Sequence, residues 1–148
     1  MKRLTVLVAV TLALSGCVPG APAPLSQVSQ TDVLVQSIQL LSQRRFSEAL
    51  TSIKTLRPMT SVNSATIMAF AVASDMQGDF GASTRAYARL ADSYAQRVDL
   101  LNNMGYSMML QGKLDKALIY LREAQRLDPK NVVVRNNLKM LTSVVPTR

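Results

Sequence analysis

The sequence predicts an all-α fold of stacked helix pairs, and three observations predict it. Aligned with itself at a shift of 34 residues, the chain yields three copies, near 30–63, 64–97 and 98–131. Self-similarity at such a period is the signature of a repeat architecture. Each copy holds two stretches whose apolar residues recur at helical spacing, separated by a short turn. After the last copy, residues 131–145 (NVVVRNNLKMLTSVV) continue the apolar period without a second stretch. A stack of helix pairs needs such a terminal helix to cover its last apolar face.

The chain begins with a different kind of element. Lys2 and Arg3 precede an eleven-residue, mostly apolar run, Leu4 to Leu14. A membrane-spanning helix needs about 20 apolar residues, so this run fits the apolar region of a secretory signal peptide spanning residues 1–16. It ends in Leu14-Ser15-Gly16-Cys17, which holds the only cysteine in the chain. That ending resembles the bacterial lipobox, in which small residues precede a cysteine that receives a diacylglycerol thioether. The resemblance implies cleavage before Cys17, lipidation at Cys17, and anchoring by several acyl chains where one chain binds only marginally. Val18, and not Asp, follows the cysteine. In the enteric sorting rule this implies export to the outer membrane, on its periplasmic face. Residues 17–30 then form a tether. The stretch VPGAPAPLSQVSQ from 18 to 30 has three prolines, one glycine and several Ser and Gln, a composition that resists packing. It reaches at most about 43–47 Å when extended.

The folded domain is expected over 31–148, with helices near 31–43, 46–57, 63–77, 80–95, 98–111, 114–127 and 131–145. The register of the copies supports this. Ser37, Ala71 and Gly105 form a small-residue column; Ala49, Ser83 and Ala117 form another. Ile53, Tyr87 and Leu121 form a large column, with Phe46, Phe80 and Leu114 opening the second helices and Leu56, Leu90 and Ala124 near their ends. Small residues let two helices approach, and large ones fill the space beside them. Gly78 and Gly112 form a turn column in which the first copy has Arg44. Pro129 stops the second helix of the third copy and Pro58 follows that of the first. In the closing helix, Leu138 and Leu141 are expected to face inward while Arg135 and Lys139 face water.

The third copy, VDLLNNMGYSMMLQGKLDKALIYLREAQRLDPKN, resembles a tetratricopeptide repeat. Leu101, Met104, Gly105, Met108, Gly112, Leu114, Ala117, Leu121, Ala124 and Pro129 sit where that motif asks for their type. The second copy departs from it with Ser83 for Ala and Ala95 for Pro; the first lacks the turn glycine and has an early Pro58. The resemblance implies a right-handed superhelical tetratricopeptide (TPR) solenoid of three helix pairs plus the capping helix. It also implies a concave groove walled by the first helix of each pair. Mapped onto this chain, the lining is Thr31, Leu34, Ile38 and Leu41, then Ala65, Met68, Val72, Asp75 and Met76. Asp99, Asn102, Tyr106, Met109 and Leu110 follow from the third copy, and Asn136 and Met140 from the closing helix. This lining is largely apolar and includes four of the eight methionines, whose flexible thioethers suit an adaptable surface. Asn102 and Asn136 are matched between successive helices, and their amides are expected to face a ligand backbone. Leu34 and Met68 occupy positions where some relatives place cations that hold a terminal carboxylate, so that mode of binding is not expected.

Composition narrows the function further. The 148 residues include 17 Lys+Arg, 9 Asp+Glu, no His and one Cys, for a formal charge of +8. Without His there is no conventional catalytic triad, and one Cys excludes an intrachain disulfide or a Cys-cluster zinc site. Asp75 and Asp79 lie four apart but flank the Gly78 turn, where turn and cap roles are expected. No catalysis, metal, cofactor or small-molecule substrate is expected. Loss of Lys2 and Arg3 leaves 15 positive against 9 negative residues, a net +6. Residues 113–148 hold eight positive and three negative residues. The excess is thus local, and with no aromatic-basic interleaving it does not point to nucleic acid.

Two readings remain for the partner. The chain is similar to the TadD-type lipoproteins of the tight-adherence (Tad/Flp) pilus assembly system. The resemblance lies in Asn102-Asn103-Met104-Gly105-Tyr106, Gln111-Gly112-Lys113-Leu114, Leu127-Asp128-Pro129 and Arg135-Asn136-Asn137-Leu138. It implies a pilotin-like adaptor that binds a secretin subunit and brings it to the outer membrane. The alternative is a periplasmic scaffold that recruits other envelope proteins, such as cell-wall enzymes.

Overall fold

The structure, a computed structural model, describes residues 29–94 and 96–144. The expected signal segment, Cys17 and most of the expected tether lie outside the described residues, as do 145–148. Among the described residues seven helices follow one another: α1 (Gln30–Ser42), α2 (Phe46–Thr55), α3 (Ser64–Met76), α4 (Phe80–Tyr94), α5 (Val98–Leu110), α6 (Leu114–Leu127) and α7 (Val132–Val144). No strand occurs among the described residues. Each helix falls within one residue of its expected span except α2, which stops at Thr55.

The ends of the helices follow from side chains at their boundaries. Ser29 and Asp32 form a reciprocal capping box at α1. Asn63 accepts from the amides of Ala65 and Thr66 at α3, and Asp79 accepts from the Ala82 amide (3.0 Å) at α4. Asn131 does the same for Val133 and Val134 at α7. The orphan amides of four helix starts are thereby partly satisfied. Between the helices of each pair the chain turns through a left-handed residue: Arg44 (φ 62°), Gly78 (φ 77°) and Gly112 (φ 71°). The arginine occupies the same backbone geometry as the glycines, despite the steric penalty a Cβ meets there.

Packing follows the 34-residue register. Ser37, Ala71 and Gly105 are all buried, as are Ala49, Ser83 and Ala117. They let α1 meet α2, α3 meet α4, and α5 meet α6, while Ile53, Tyr87 and Leu121 fill the space beside them. The closest approach is in the third pair. A Cβ built on Gly105 would lie 2.6 Å from Leu121 Cγ, so α5 and α6 pack at a distance only glycine allows. One apolar core runs from Leu34 and Ile53 through Phe70 and Tyr87 to Leu100. Two smaller clusters join α5, α6 and α7 through Leu101, Ala124 and Val134, and through Ala117, Leu121 and Leu141. Arg135 and Lys139 are exposed and Leu141 is buried, so α7 closes the stack with a polar outer face.

One buried polar network departs from expectation. The Asp75 carbonyl accepts from the Gly78 amide at the turn, but its side chain neither caps that turn nor faces the groove: it is buried. Its carboxylate accepts from the Tyr87 hydroxyl (2.9 Å) and the Ser107 hydroxyl (2.8 Å). Gln111 in turn donates to Ser107 (3.1 Å). Asp75 therefore joins α3 to α4 and α5, across the boundary between the second and third repeats. Burial, with the neighbouring Asp75 carboxylate adding to it, pushes the Tyr87 phenol up well beyond its ordinary range.

Candidate protein-interaction groove

The first helices form a continuous wall. α1 contacts α3, α3 contacts α5 and α5 contacts α7, whereas α2, α4 and α6 do not touch one another. Helices that lie closer together mark the inner side of a curved stack, so α1, α3, α5 and α7 line its concave face. α1 and α7, at the ends of the wall, each lack one flanking helix. Ile38 and Met140 consequently remain 47% and 42% exposed, while their register mates Val72 and Tyr106 are half-buried between neighbours. Leu41, Met68, Met76 and Met109 are also half-buried; Leu110 and Asn136 are exposed, as are Thr31, Ala65 and Asp99.

Besides Asp75, two of the expected lining residues are not available. Leu34 is buried in the core with Ile53 and Phe70, because α1 turns that side toward α2 and α3. Asn102 is buried, and its carbonyl oxygen accepts from the Asn137 amide (2.9 Å). Its amide is thus spent within the wall as a tie between α5 and α7. A second tie, from the Asn103 amide to the Met68 sulfur (3.3 Å), joins α5 to α3. Both ties span 35 residues, one more than the repeat, so pairing Asn102 with Asn136 missed the residue that makes the contact. The slant of one helix against the next shifts the partner by one position, and a count of the period alone does not show this.

Sequence reasoning also passed over Val35 and Val133, which are 59% and 57% exposed. Val133 stands 34 residues after Asp99, so the register contained the signal for it. Val133 lines a small cleft between α5 and α7 of about 160 Å³, with Asp99, Asn102 and Asn103. At its edge Asp99 pairs with Arg97, and the guanidinium holds the Asp99 carboxyl below the usual carboxylate range. The wall offers apolar contact and a few amides but no charged cluster. Among the described residues no group of three His, Cys, Asp or Glu is placed to hold a metal ion. Nor is any helix there long and apolar enough to cross a membrane.

Comparison with known proteins agrees with this geometry. Residues 98–131, which span α5 and α6, match the tetratricopeptide repeat family. No curated protein matches the chain. Among solved structures it is similar to the first TPR of Spaghetti (RPAP3) bound to the HSP90 peptide SRMEEVD. That match has a TM-score of 0.62 at 14% identity and covers 75% of this chain and 88% of the other. The chain therefore has the architecture of an all-α TPR solenoid: three helix pairs followed by a capping helix.

Proposed function

We propose that the chain is a lipid-anchored adaptor that holds a segment of a protein partner in the groove of α1, α3, α5 and α7. One observation carries this reading: apolar side chains from all four wall helices, including Ile38, Met76, Leu110 and Met140, meet solvent along one wall. An apolar wall edged by amides suits an amphipathic helix or an extended segment. The similar Spaghetti repeat domain, which holds a peptide, supports the same use of the fold.

The resemblance of the third repeat and the lipobox to TadD-type proteins makes a secretin subunit of a Tad/Flp pilus the partner of choice. In this reading Cys17 supplies affinity for the outer membrane, residues 18–30 supply reach, and the groove carries the secretin segment to its site of assembly. The test pairs the chain with purified secretin segments. Binding is expected, and Leu110→Glu with Met140→Glu should weaken it at least tenfold while helicity and melting stay near wild type. Both side chains are exposed, so the fold tolerates the change. Undiminished binding by this variant would exclude the groove. Cys17→Ser should move the protein from the membrane to the soluble fraction and abolish lipid labelling; retention at the membrane would exclude the anchor.

A further inference from the structure

The interrupted second helix of the first repeat leaves a cleft that the groove does not include. α4 and α6 run for 15 and 14 residues, but α2 for only 10. At the 34-residue register, an α2 of full length would continue through residues 56–59. Pro58, which lacks an amide hydrogen, stands in that span. The chain instead leaves the helix at Arg57, in the left-handed region (φ 47°), and forms a loop up to Asn63. Where the last helical turn is missing, a cavity of about 330 Å³ opens, lined by Lys54, Arg57, Pro58, Met59, Thr60 and Phe70.

Three features make this a shaped site and not a gap. The loop is held in place from α4, where Arg89 donates to the carbonyls of Met59 and Ser61. The Arg57 carbonyl accepts from the amides of Thr60 and Ser61 and from the Thr60 hydroxyl. These bonds occupy the carbonyls of Arg57, Met59 and Ser61, and Pro58, Met59 and Phe70 present an apolar floor. At the mouth, Lys54 and Arg57 are exposed and have no ion-pair partner among the described residues.

We propose that this cleft is a second docking site, which takes a bulky apolar side chain flanked by carboxylates on an acidic segment of a partner protein. Charge complementarity selects the acidic partner, since both cations at the mouth lack a counter-charge. The cavity is at the small end of ligand pockets. At about 330 Å³ it accommodates one large side chain as an anchor. The site is independent of the groove reading: it lies on the α2–α3 connection, and its residues belong to none of the wall positions.

The test uses the full chain and three fluorescein-labelled probes: Glu-Leu-Phe-Glu-Asp, its basic counterpart Lys-Leu-Phe-Lys-Lys, and the acidic but non-anchoring Glu-Gly-Gly-Glu-Asp. Fluorescence anisotropy should show the first probe binding at least tenfold more tightly than either control, with affinity falling as salt rises. Lys54→Glu with Arg57→Glu should abolish the preference. Arg57→Gly suits the left-handed backbone and should weaken binding without lowering the melting temperature, which separates recognition from folding. Leu110→Glu with Met140→Glu should leave the first probe's affinity unchanged. The proposal is overturned if the basic probe binds as well, if the Lys54 and Arg57 variants bind like wild type, or if the groove variant loses the probe. Competition of the probe by anionic lipid vesicles, but not by unlabelled acidic peptide, would also overturn it.

Discussion

In the third repeat, α5 meets α6 through Gly105 against Leu121, and the chain turns between them at Gly112. In the first, α1 meets α2 through Ser37 beside Ile53, and the chain turns at Arg44. The Ser37 hydroxyl bonds the Val33 carbonyl (2.7 Å) and lies 2.9 Å from the Ser52 hydroxyl. Both pairs reach the same arrangement. The third does so with residues that favour it locally, whereas the first carries a non-glycine left-handed turn and a second helix cut short by Pro58. A repeat that departs from its motif is still formed because its neighbour supplies an apolar face for it to cover. At its turn and its second helix the first repeat has the weaker local preference, and packing makes up the difference.

The boundary between strong and weak repeats can be broken most severely at Asp75. Asp75→Ala leaves the Tyr87 and Ser107 hydroxyls buried without their acceptor, at an expected cost of about 2–4 kcal/mol. Chemical denaturation measures it, and adding Tyr87→Phe and Ser107→Ala should restore part of the loss. A single variant as stable as wild type would mean the network does not hold α3, α4 and α5 together. Within the third repeat, Gly105→Leu must displace Leu121 and should cost about 1–3 kcal/mol or more. The matching change Ser37→Ala in the first repeat adds no bulk and should cost much less; equal costs would remove the distinction between the two helix contacts.

Alkaline pH probes the same network more gently. The folded Tyr87 phenol is held above its unfolded value, near 10. Its contribution is therefore complete below about pH 10 and is lost as pH rises beyond that, because the unfolded chain releases the proton first. Stability should fall with pH above about 10, and Tyr87→Phe should flatten that slope. The smallest effect lies in the turn column. Arg44→Gly should stabilise the chain by about 0.5–1 kcal/mol, while Gly112→Arg should destabilise it by about 1 kcal/mol. Thermal melts that move in the same direction for both would refute the shared left-handed geometry.

Much of this molecule was legible in its residues. Apolar period, small and large columns, the turn glycines and Pro129 located seven helices and which of their faces meet, because each of these signals acts within a turn or two of the chain. The groove was legible as a set of four helices but not residue by residue. Leu34 and Asn102 were misplaced because the rotation of each helix about its axis depends on how its neighbours pack. Tyr87 was legible as a large core residue, but Asp75 read as a turn residue because nothing near it in sequence names its partners 12 and 32 residues away.

By itself, then, the sequence determined the all-α stack, the length of its repeat and the order of its helices, since hydrophobic periodicity and backbone chemistry are local properties. Only the tertiary structure decided that Asn137, and not Asn136, pairs with Asn102. It also decided that Asp75 is buried between repeats and that the missing turn of α2 leaves an open cleft beside Lys54 and Arg57. Each of these depends on the angle and spacing at which one helix meets the next, and those are set by close packing among residues distant in the chain.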